Sequence, residues 1–406
     1  MKPLKKWLIV TQYFYPEHFI INGFSEELKN YNIDCEILTG LPNYPSGKIA
    51  AGYSFWSGPF NQTIKIGDAL AKIKRVPLVP RGNKRWQLAL NYLSFVLFGS
   101  LRVFFLKTRY DAIFCFAPSP ITSCIPAIVA KKKFKIPLYF WVQDLWPESV
   151  SAVGAVKNES FLKPLIYLCR WIYSECAQIL VPSKGFIDAI VKLGVGSEKI
   201  KYLPNWAEPF PEVQSRPDWL SDLPKGFCIG FAGNIGQAQN FELMIEAASR
   251  LRDRKDIHWV IVGDGSFLEN LKSLVNKVDL KNNIHLIGRK PYQDMESFYQ
   301  RCDVLYFSLK DEEIFERTIP SKVQSYMLAG RPIIAAIKGS CRELLSEVGC
   351  GEAVNPDSSK DLAQLIRKFS EKTKVELDNQ GLKGLCYAEE HFTRGKVVER
   401  FLNFLK

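Results

Sequence analysis

Residues 303–336 read as a strand, a charged loop, a helix and a second strand, and this order constrains the fold more than any other stretch. Residues 303–308 are short and apolar, and Ile333–Ala336 form a second apolar run. Between these runs Pro320 is expected to open the helix, because proline at a first helical position loses no hydrogen bond. Gly330 is expected to end it. Two strands joined through a helix are the building unit of a parallel sheet covered by helices.

The same alternation of apolar strands and helical segments runs along the chain in two series. Strands are predicted at residues 7–12, 35–38, 72–77, 111–116, 138–142 and 178–181, and again at 227–232, 258–262, 284–287, 303–308 and 333–336. A proline-rich segment, residues 202–217, separates the series and is typical of a linker. The sequence therefore predicts an α/β protein of two doubly wound domains, residues 1–205 and 206–385. A C-terminal helix at residues 386–406 is expected to pack back on the first domain.

The predicted helix that follows Pro320 carries Ser321 and Lys322 in its first turn. A helix N-terminus has unpaired N–H groups and a partial positive charge, so a cation there is unfavourable unless an anion lies beside it. A phosphate would satisfy the hydroxyl, the ammonium and the amides together. The other interpretation, an ordinary helix cap with a solvated lysine, stays open.

Two glycine turns follow predicted strands of the second domain. Gly233, Asn234 and Ile235 begin one turn, and Gly263 with Asp264 begins the other. Glycines at such strand ends let the backbone approach a phosphate closely. The second turn is a lone Gly-x-Gly, a motif of low specificity. The chain has neither the Gly-x-Gly-x-x-Gly fingerprint nor a Gly-Lys-Ser/Thr P-loop, so a dinucleotide enzyme and an NTPase are disfavoured.

Asp144 and Glu148 follow the predicted strand 138–142 and lie among aromatic residues. A carboxylate in such surroundings is costly unless it is paired or used in chemistry, which makes both residues candidates for an active site. A helix cap at Asp144 and a salt bridge at Glu148 explain the pattern equally well.

The net charge of +12 lies entirely in the first half. Residues 1–205 contain 26 Lys and Arg against 13 Asp and Glu, whereas the remainder contains 28 against 29. This asymmetry favours an anionic partner for the first domain, either a membrane surface, a lipid phosphate or nucleic acid, over a merely basic surface.

The ten cysteines form no Cys-x-x-Cys and no leader is evident, so reduced thiols in the cytosol are expected. The four histidines show no spacing typical of metal ligands, so no metal site is expected.

Residues 85–110 are mostly apolar between residues 88 and 106, which is about the ~20 residues needed to span a bilayer. Polar residues interrupt the run and basic residues flank it, so three interpretations remain. The segment is a core helix, a helix lying at a membrane interface, or a transmembrane helix. The basic cluster Lys131, Lys132, Lys133 and Lys135 would add to attraction toward an anionic membrane.

Several segments together resemble the family 4 glycosyltransferases. They are TQYFYPE (residues 11–17), LPNYPSGK (41–48), QDLWPES (143–149), LVPSKGF (180–186), LPNW (203–206), FAGNIGQAQN (231–240), VIVGDG (260–265) and IPSKVQSYMLAGRPIIAA (319–336). The chain most resembles bacterial members that transfer N-acetylated deoxyhexosamines such as N-acetylfucosamine in O-antigen or capsule synthesis. The resemblance implies the GT-B fold, with two facing Rossmann-like domains and a cleft between them.

The resemblance further implies retaining, metal-independent transfer from a nucleotide sugar, with UDP the expected nucleotide, to an undecaprenyl-diphosphate-linked acceptor. Such an enzyme would be cytoplasmic and peripheral at the inner membrane face. The second domain would bind the donor through Gly233, Asn234, Ile235, Gly263, Asp264, Ser321, Lys322 and Ser325. The first domain would bind the acceptor, with Asp144 and Glu148 as candidate catalytic or positioning groups.

The sequence departs from the wider family at the donor site. Most members carry two glutamates eight residues apart, where this chain has Arg317 and Ser325. The adjacent Glu316 is the candidate replacement for the first glutamate, and Lys322 is the candidate for meeting the diphosphate charge. Three alternatives remain: a nucleotide-sugar epimerase on the same fold, a nucleic-acid-binding protein suggested by the isoelectric point near 9.1, and a non-catalytic scaffold.

Overall fold

The computed structural model describes residues 5–67, 69–82, 84–149, 159–211 and 216–405. The chain divides into two compact units. Unit 1 comprises residues 1–204 and 397–406, and unit 2 comprises residues 205–396. Residues 212–215 of the predicted linker lie outside the described residues.

Unit 1 is built on an eight-stranded sheet. Its strands are β1 (Lys5–Val10), β2 (Ile33–Gly40), β3 (Asn61–Ile66), β4 (Ala69–Val76), β5 (Ala112–Ala117), β6 (Leu138–Val142), β7 (Gln178–Val181) and β8 (Ile200–Tyr202). They are arranged in the order β3-β4-β2-β1-β5-β6-β7-β8. Every neighbouring pair is parallel except β3 and β4. The expectation of a wholly parallel sheet is therefore wrong at this edge, where a hairpin adds an antiparallel strand.

The described helices of unit 1 are α1 (Ile20–Glu27), α2 (Arg85–Phe104), α3 (Ile125–Phe134), α4 (Glu159–Ser174) and α5 (Gly185–Lys192). The end of the chain completes this core. Phe401 is fully buried and its ring lies 5.1 Å from that of Phe114 and 5.7 Å from that of Trp7. The tail therefore contributes an aromatic side chain to the sheet of unit 1.

Unit 2 is built on a six-stranded parallel sheet. Its strands are β9 (Phe227–Ala232), β10 (Ile257–Val262), β11 (Ile284–Gly288), β12 (Val304–Ser308), β13 (Ile333–Ala336) and β14 (Gly351–Val354), in the order β11-β10-β9-β12-β13-β14. The chain winds outward from β9 in one direction and from β12 in the other. Ligands of doubly wound sheets bind outside the carboxyl ends of the strands at such a switch point.

The helices of unit 2 cover both faces of its sheet with apolar residues. They are α6 (Phe241–Arg250), α7 (Leu268–Lys277), α8 (Met295–Arg301), α9 (Glu313–Glu316), α10 (Ser321–Leu328), α11 (Gly339–Val348), α12 (Ser359–Ser370), α13 (Lys374–His391) and α14 (Arg394–Asn403). Helix α14 begins in unit 2, and its residues from Val397 onward belong to unit 1. Pro320 is the N-cap of α10 rather than its first residue, with φ −62° and ψ 142°. Gly330 follows the helix at φ +65°, as expected for a terminating glycine.

The helix α2 is long and apolar enough to cross a membrane by length and composition, yet part of its surface is buried in unit 1. Its buried residues include Asn91, Phe95 and Val103. The interpretation as a core helix therefore holds for one face only. All ten cysteines are free, and only Cys386 is exposed.

Candidate functional site

The two glycine turns of unit 2 pack against each other at the switch point. Gly233 follows β9 at φ +136°, and Gly263 follows β10 at φ +146°, conformations that residues with a side chain rarely adopt. A Cβ on Gly263 would lie 1.9 Å from the carbonyl oxygen of Gly233. Glycine is therefore required at residue 263 for the turns to approach this closely.

Hydrogen bonds between the turns use two amides that the sequence assigned to a phosphate. The Gly233 amide donates to the carbonyl of Val262 at 3.0 Å, and the Ile235 amide donates to that of Asp264 at 2.8 Å. This corrects the expectation that Gly233 and Ile235 present their amides to a ligand, because parallel pairing of neighbouring strand ends already uses them. Within the described residues, the intervening amide of Asn234 has no acceptor, and Asn234 is exposed.

The Lys322 side chain extends from the first turn of α10 to the first glycine turn. A Cβ on Gly233 would lie 2.6 Å from Lys322 Cε and 3.3 Å from Nζ, so Gly233 also makes room for this side chain. Nζ donates to Gln239 Oε1 at 2.6 Å and lies 4.2 Å from the ring centre of Phe231. The structure thus brings Lys322 and Gly233 together, as the phosphate interpretation requires.

The ammonium of Lys322 has neutral partners only. Among the residues that the structure describes, no carboxylate forms an ion pair with it. Burial lowers the pKa of Lys322 to about 7, and no nearby negative charge counteracts this shift. Because a buried ammonium is unfavourable without an anion, the arrangement is suited to bind a negatively charged group between α10 and the turns.

The neighbouring candidates take different positions. Ser321 is exposed at the start of α10, where the first amides have no intrahelical acceptor. Ser325 lies one turn later, with its hydroxyl 3.4 Å from the Ser321 carbonyl oxygen. The Asp264 carboxylate accepts the Gly265 amide at 2.7 Å and thereby supports the second turn.

Glu316 ends α9 and lies beside the start of α11. Gly339, at φ +66°, packs so closely that a Cβ there would lie 2.0 Å from the Glu316 carbonyl oxygen. The nearby Lys338 forms an ion pair with Asp311 at 2.6 Å, which raises the pKa of Lys338, with a smaller contribution from Glu316. In the described part of the chain, no hydrogen bond or ion pair joins Glu316 to Lys322.

Asp144 lies in unit 1, just beyond the end of β6. Its Oδ2 accepts Trp146 Nε1 at 3.3 Å, and burial raises the pKa of Asp144 while hydroxyl groups of Ser149 and Ser119 oppose the rise. Tyr92 of α2 contacts Ser119 as well, and burial raises its pKa. Strand-end residues and α2 therefore form one polar cluster around Asp144.

Glu148 is half-buried and lies near α4 in unit 1. Burial raises the pKa of Cys169 to about 12, and the negative charge of Glu148 adds to that rise. The same charge contributes to the raised pKa of the buried Tyr173. Glu148 therefore lies near Cys169 and Tyr173 of α4, and neither of these residues was predicted to take part in sugar transfer.

Sequence reasoning missed Gln239, Phe231 and Glu17. Gln239 and Phe231 are the contacts of Lys322 in unit 2. In unit 1 the buried Glu17 accepts the amides of Asn43 at 2.8 Å and Tyr44 at 2.7 Å, which ties two strand-end loops together. A charged residue within the apolar segment TQYFYPE was the available signal for Glu17. Over the described ranges, no group of three or more His, Cys, Asp or Glu is placed to hold a metal ion.

Two domain families match consecutive parts of the chain. Residues 26–206 match the glycosyl transferase 4-like domain, and residues 220–380 match glycosyl transferases group 1. The chain is 23% identical over 389 residues to the putative colanic acid biosynthesis glycosyl transferase WcaI of Escherichia coli K12, covering 92% of each chain. It is 24% identical to a Campylobacter jejuni N-acetylgalactosaminyltransferase that acts on a diphospho-undecaprenol saccharide, over 58% of this chain and 60% of that one.

Solved structures of the same architecture align over nearly the whole chain. Anabaena HepE in complex with UDP aligns with a TM-score of 0.67 at 14% identity, covering 99% of both chains. Sucrose-phosphate synthase from Thermosynechococcus elongatus aligns with a TM-score of 0.73 at 13% identity, covering 99% of this chain and 98% of the other. These alignments establish the GT-B fold. The two family matches, residues 26–206 and 220–380, together identify the chain as a glycosyltransferase, composed of a glycosyl transferase 4-like domain followed by a group 1 glycosyl transferase domain.

Proposed function

We propose that this glycosyltransferase moves a sugar from a UDP-sugar to an acceptor carried on undecaprenyl diphosphate, with retention of anomeric configuration and without a metal. The donor sugar is proposed to be an N-acetylated deoxyhexosamine such as N-acetyl-L-fucosamine, and the product a precursor of O-antigen or another surface polysaccharide. The reaction takes place at the cytoplasmic face of the inner membrane. The observation that carries the proposal is the half-buried ammonium of Lys322, which has no anionic partner among the described residues.

The diphosphate of the donor supplies the missing anion. When the bond between the anomeric carbon and the diphosphate breaks, negative charge develops on the leaving phosphate. Lys322, the exposed start of α10 and the amide of Asn234 are placed to stabilise that charge. The acceptor hydroxyl attacks the anomeric carbon from the same face and transfers its proton to the leaving phosphate.

Asp144 is proposed to orient the acceptor. Its raised pKa reflects partial burial in a polar cluster at the strand ends of unit 1, where acceptors of such folds bind. The acceptor class is suggested by the name of the Campylobacter jejuni relative, and UDP by the complexes of Anabaena HepE. The resemblance described above suggests the sugar.

The nucleic-acid alternative loses support in the basic cluster of α3. Lys131 forms an ion pair with Glu175 at 2.9 Å, and Lys133 donates to the carbonyls of Val103, Phe104 and Leu106 at 3.0, 2.8 and 2.7 Å. These two ammonium groups are therefore engaged in contacts within unit 1 rather than presented to a phosphate backbone.

The test is incubation of the purified protein with a panel of UDP-, GDP- and dTDP-sugars, with and without a diphospho-undecaprenol-linked saccharide. We expect UDP and one UDP-sugar to raise the melting temperature, since they bind only the folded chain. We also expect acceptor-dependent release of UDP, with an α-linked product from an α-linked donor. Conversion of the sugar nucleotide without an acceptor would indicate an epimerase instead. No thermal shift and no transfer with any nucleotide sugar would refute the proposal.

A further inference from the structure

A continuous apolar stripe covers the exposed face of α2 in unit 1. Its members are large hydrophobic residues, each between 43% and 73% exposed: Trp86, Leu90, Leu93, Leu97, Leu101 and Phe104, with Phe105 directly after the helix. The spacing of three and four residues places the helical members on one side of α2. Patches of this kind on a folded protein mark an interaction surface.

We propose that this α2 stripe inserts into the surface of an anionic lipid bilayer, with the helix lying parallel to the membrane plane. The proposal goes beyond the transfer reaction, because it names the surface and the orientation through which unit 1 meets the membrane. It also chooses among the core, interfacial and transmembrane interpretations of this segment.

The buried face of α2 rules out a spanning orientation for the folded protein. Asn91 is fully buried, accepts Gln12 Nε2 at 2.7 Å and donates to the Val79 carbonyl at 2.6 Å. Gly99 packs against α3, where a Cβ would lie 2.9 Å from Pro126 Cγ. Withdrawing α2 into hydrocarbon would leave these polar groups without partners. The helix therefore offers only its outer face to a bilayer.

A neighbouring aromatic loop extends the apolar surface. Trp56 is 87% exposed, and the ring of the adjacent Phe55 lies 6.1 Å from that of Phe98 on α2. Tryptophan is typical of the membrane–water interface, where its ring meets both apolar and polar groups.

Charge complementarity identifies an anionic bilayer as the partner. Residues 84–110 contain no acidic residue, and exposed basic residues lie at both ends of the stripe: Lys84 before it, and Lys107 and Arg109 after it. Lys135, directly after α3, is exposed as well, whereas Lys132 lies 3.4 Å from Glu175 Oε1. An apolar helix face with a basic border is the pattern of interfacial membrane helices.

The inner face of the same helix reaches the polar cluster around Asp144. Tyr92 of α2 contacts Ser119, the partner of Asp144. If the proposed function holds, the stripe would therefore hold this cluster close to the lipid that carries the acceptor. The membrane contact itself does not depend on that step.

The first experiment is flotation of the purified protein with vesicles of phosphatidylglycerol and of phosphatidylcholine. We expect strong, salt-weakened binding to phosphatidylglycerol and weak binding to phosphatidylcholine. Leu93→Glu with Leu97→Glu should lower binding by at least ~10-fold, since two charges enter the apolar face. Val375→Glu with Leu382→Glu, which places the same charges on exposed apolar residues of α13, should leave binding unchanged. Binding that is equal for all three proteins, or absent from the wild type, would overturn the proposal.

The second experiment does not depend on the folding of the charged variant. An environment-sensitive fluorophore is attached at Leu93→Cys or at Leu382→Cys, in a Cys386→Ser background that removes the exposed thiol. Phosphatidylglycerol vesicles should shift the emission of the first label to the blue and leave the second unchanged. If sedimentation instead shows a dimer that the Glu substitutions dissociate, with no shift on vesicles, the stripe is an interface between copies and the proposal fails. Sugar transfer to a short-chain soluble acceptor should persist in the variant with Leu93→Glu and Leu97→Glu. This measurement distinguishes an error in the membrane proposal from an error in the proposed function.

Discussion

Two cations that are shielded from solvent, the fully buried Arg75 in unit 1 and the half-buried Lys322 in unit 2, have very different surroundings. Arg75 donates to Gln62 Oε1 at 2.8 Å, to the Gly40 carbonyl at 3.1 Å and to the Tyr15 carbonyl. Burial lowers its pKa, while the phenol of Tyr53 and the carboxylate of Glu17 oppose that effect. Among the described residues, the ammonium of Lys322 contacts one amide oxygen, that of Gln239, and the face of the Phe231 ring.

Under the proposed function, the difference distinguishes a charge with a structural role from a charge that is available to bind a ligand. The guanidinium of Arg75 is hydrogen-bonded within the protein and connects the loop after β1 to the end of β2 and to β3. The ammonium of Lys322 is held in place by Gln239 without being neutralised, so an incoming anion gains most of the interaction. Substitutions at these two cations and at Gln239 test this contrast.

The largest effect is expected for stability in Arg75→Met. Removing the guanidinium leaves Glu17 buried without its nearby positive charge, which should lower the free energy of unfolding by ~3–5 kcal/mol. Urea unfolding of both proteins at neutral pH measures the change. Lys322→Met is the matched control and should not lower the free energy of unfolding. A similar decrease in both variants would show that the two cations do not differ in their structural role.

Turnover should show the next largest effect, in Lys322→Met. Loss of one preorganised donor to the leaving diphosphate should reduce turnover by ~100-fold, with the fold intact. Initial rates with a saturating UDP-sugar measure the change in turnover.

The same substitution should also change how stability depends on pH. Because the folded-state pKa of Lys322 is near 7 and its ordinary value is 10.5, the unfolded chain binds more protons than the folded chain between these pH values. Wild-type stability should therefore rise with pH in this window through Lys322, and the variant should lack that contribution. Near-normal turnover in Lys322→Met would remove this residue from the site.

The affinity for UDP-sugar should depend on pH through the same amine. Bound diphosphate raises the pKa of Lys322, so affinity is greatest below about pH 7 and falls by up to ~10-fold per pH unit above it. The diphosphate group of a UDP-sugar is fully ionised throughout this range and does not titrate in it. Calorimetry from pH 6 to pH 9 provides the measurement, with Lys322→Arg as the control that should stay charged and show a flat profile. An identical decline in Lys322→Arg would assign the pH dependence to another group.

The smallest effect is expected for Gln239→Leu. This change removes the hydrogen bond from Nζ of Lys322 to Gln239, which is worth ~1 kcal/mol, and should lower turnover by ~5-fold. Steady-state kinetics test it beside Gln237→Leu, which alters a neighbouring exposed glutamine. Equal effects of the two substitutions would show that Gln239 does not act through Lys322.

Much of the fold was predictable because buried parallel strands read as continuous apolar runs. The predicted bounds of β6, β7, β9 and β13 agree with the structure. The antiparallel β3 was missed because its residues alternate between exposed and half-buried positions, which leaves no apolar run to recognise. Its place in the sheet comes from pairing with β4, a tertiary contact that local sequence does not encode.

The candidate site was predictable in outline but not in its hydrogen bonds. The sequence brought Lys322 to the glycine turn because a helix start and a strand end meet at one edge of a parallel sheet. It could not reveal that Val262 and Asp264 accept the amides of Gly233 and Ile235, since those bonds depend on the pairing of two separate turns. Gln239 was passed over for the same reason, because its contact with Lys322 spans 83 residues.

The most direct measurement is a crystal structure of the protein with bound UDP. We predict a phosphate oxygen within about 3 Å of Lys322 Nζ, a distance typical of a charge-assisted hydrogen bond, with the Asn234 amide directed at the same diphosphate. A complex in which Nζ still contacts only Gln239 and Phe231, while UDP lies elsewhere on the chain, would contradict this account.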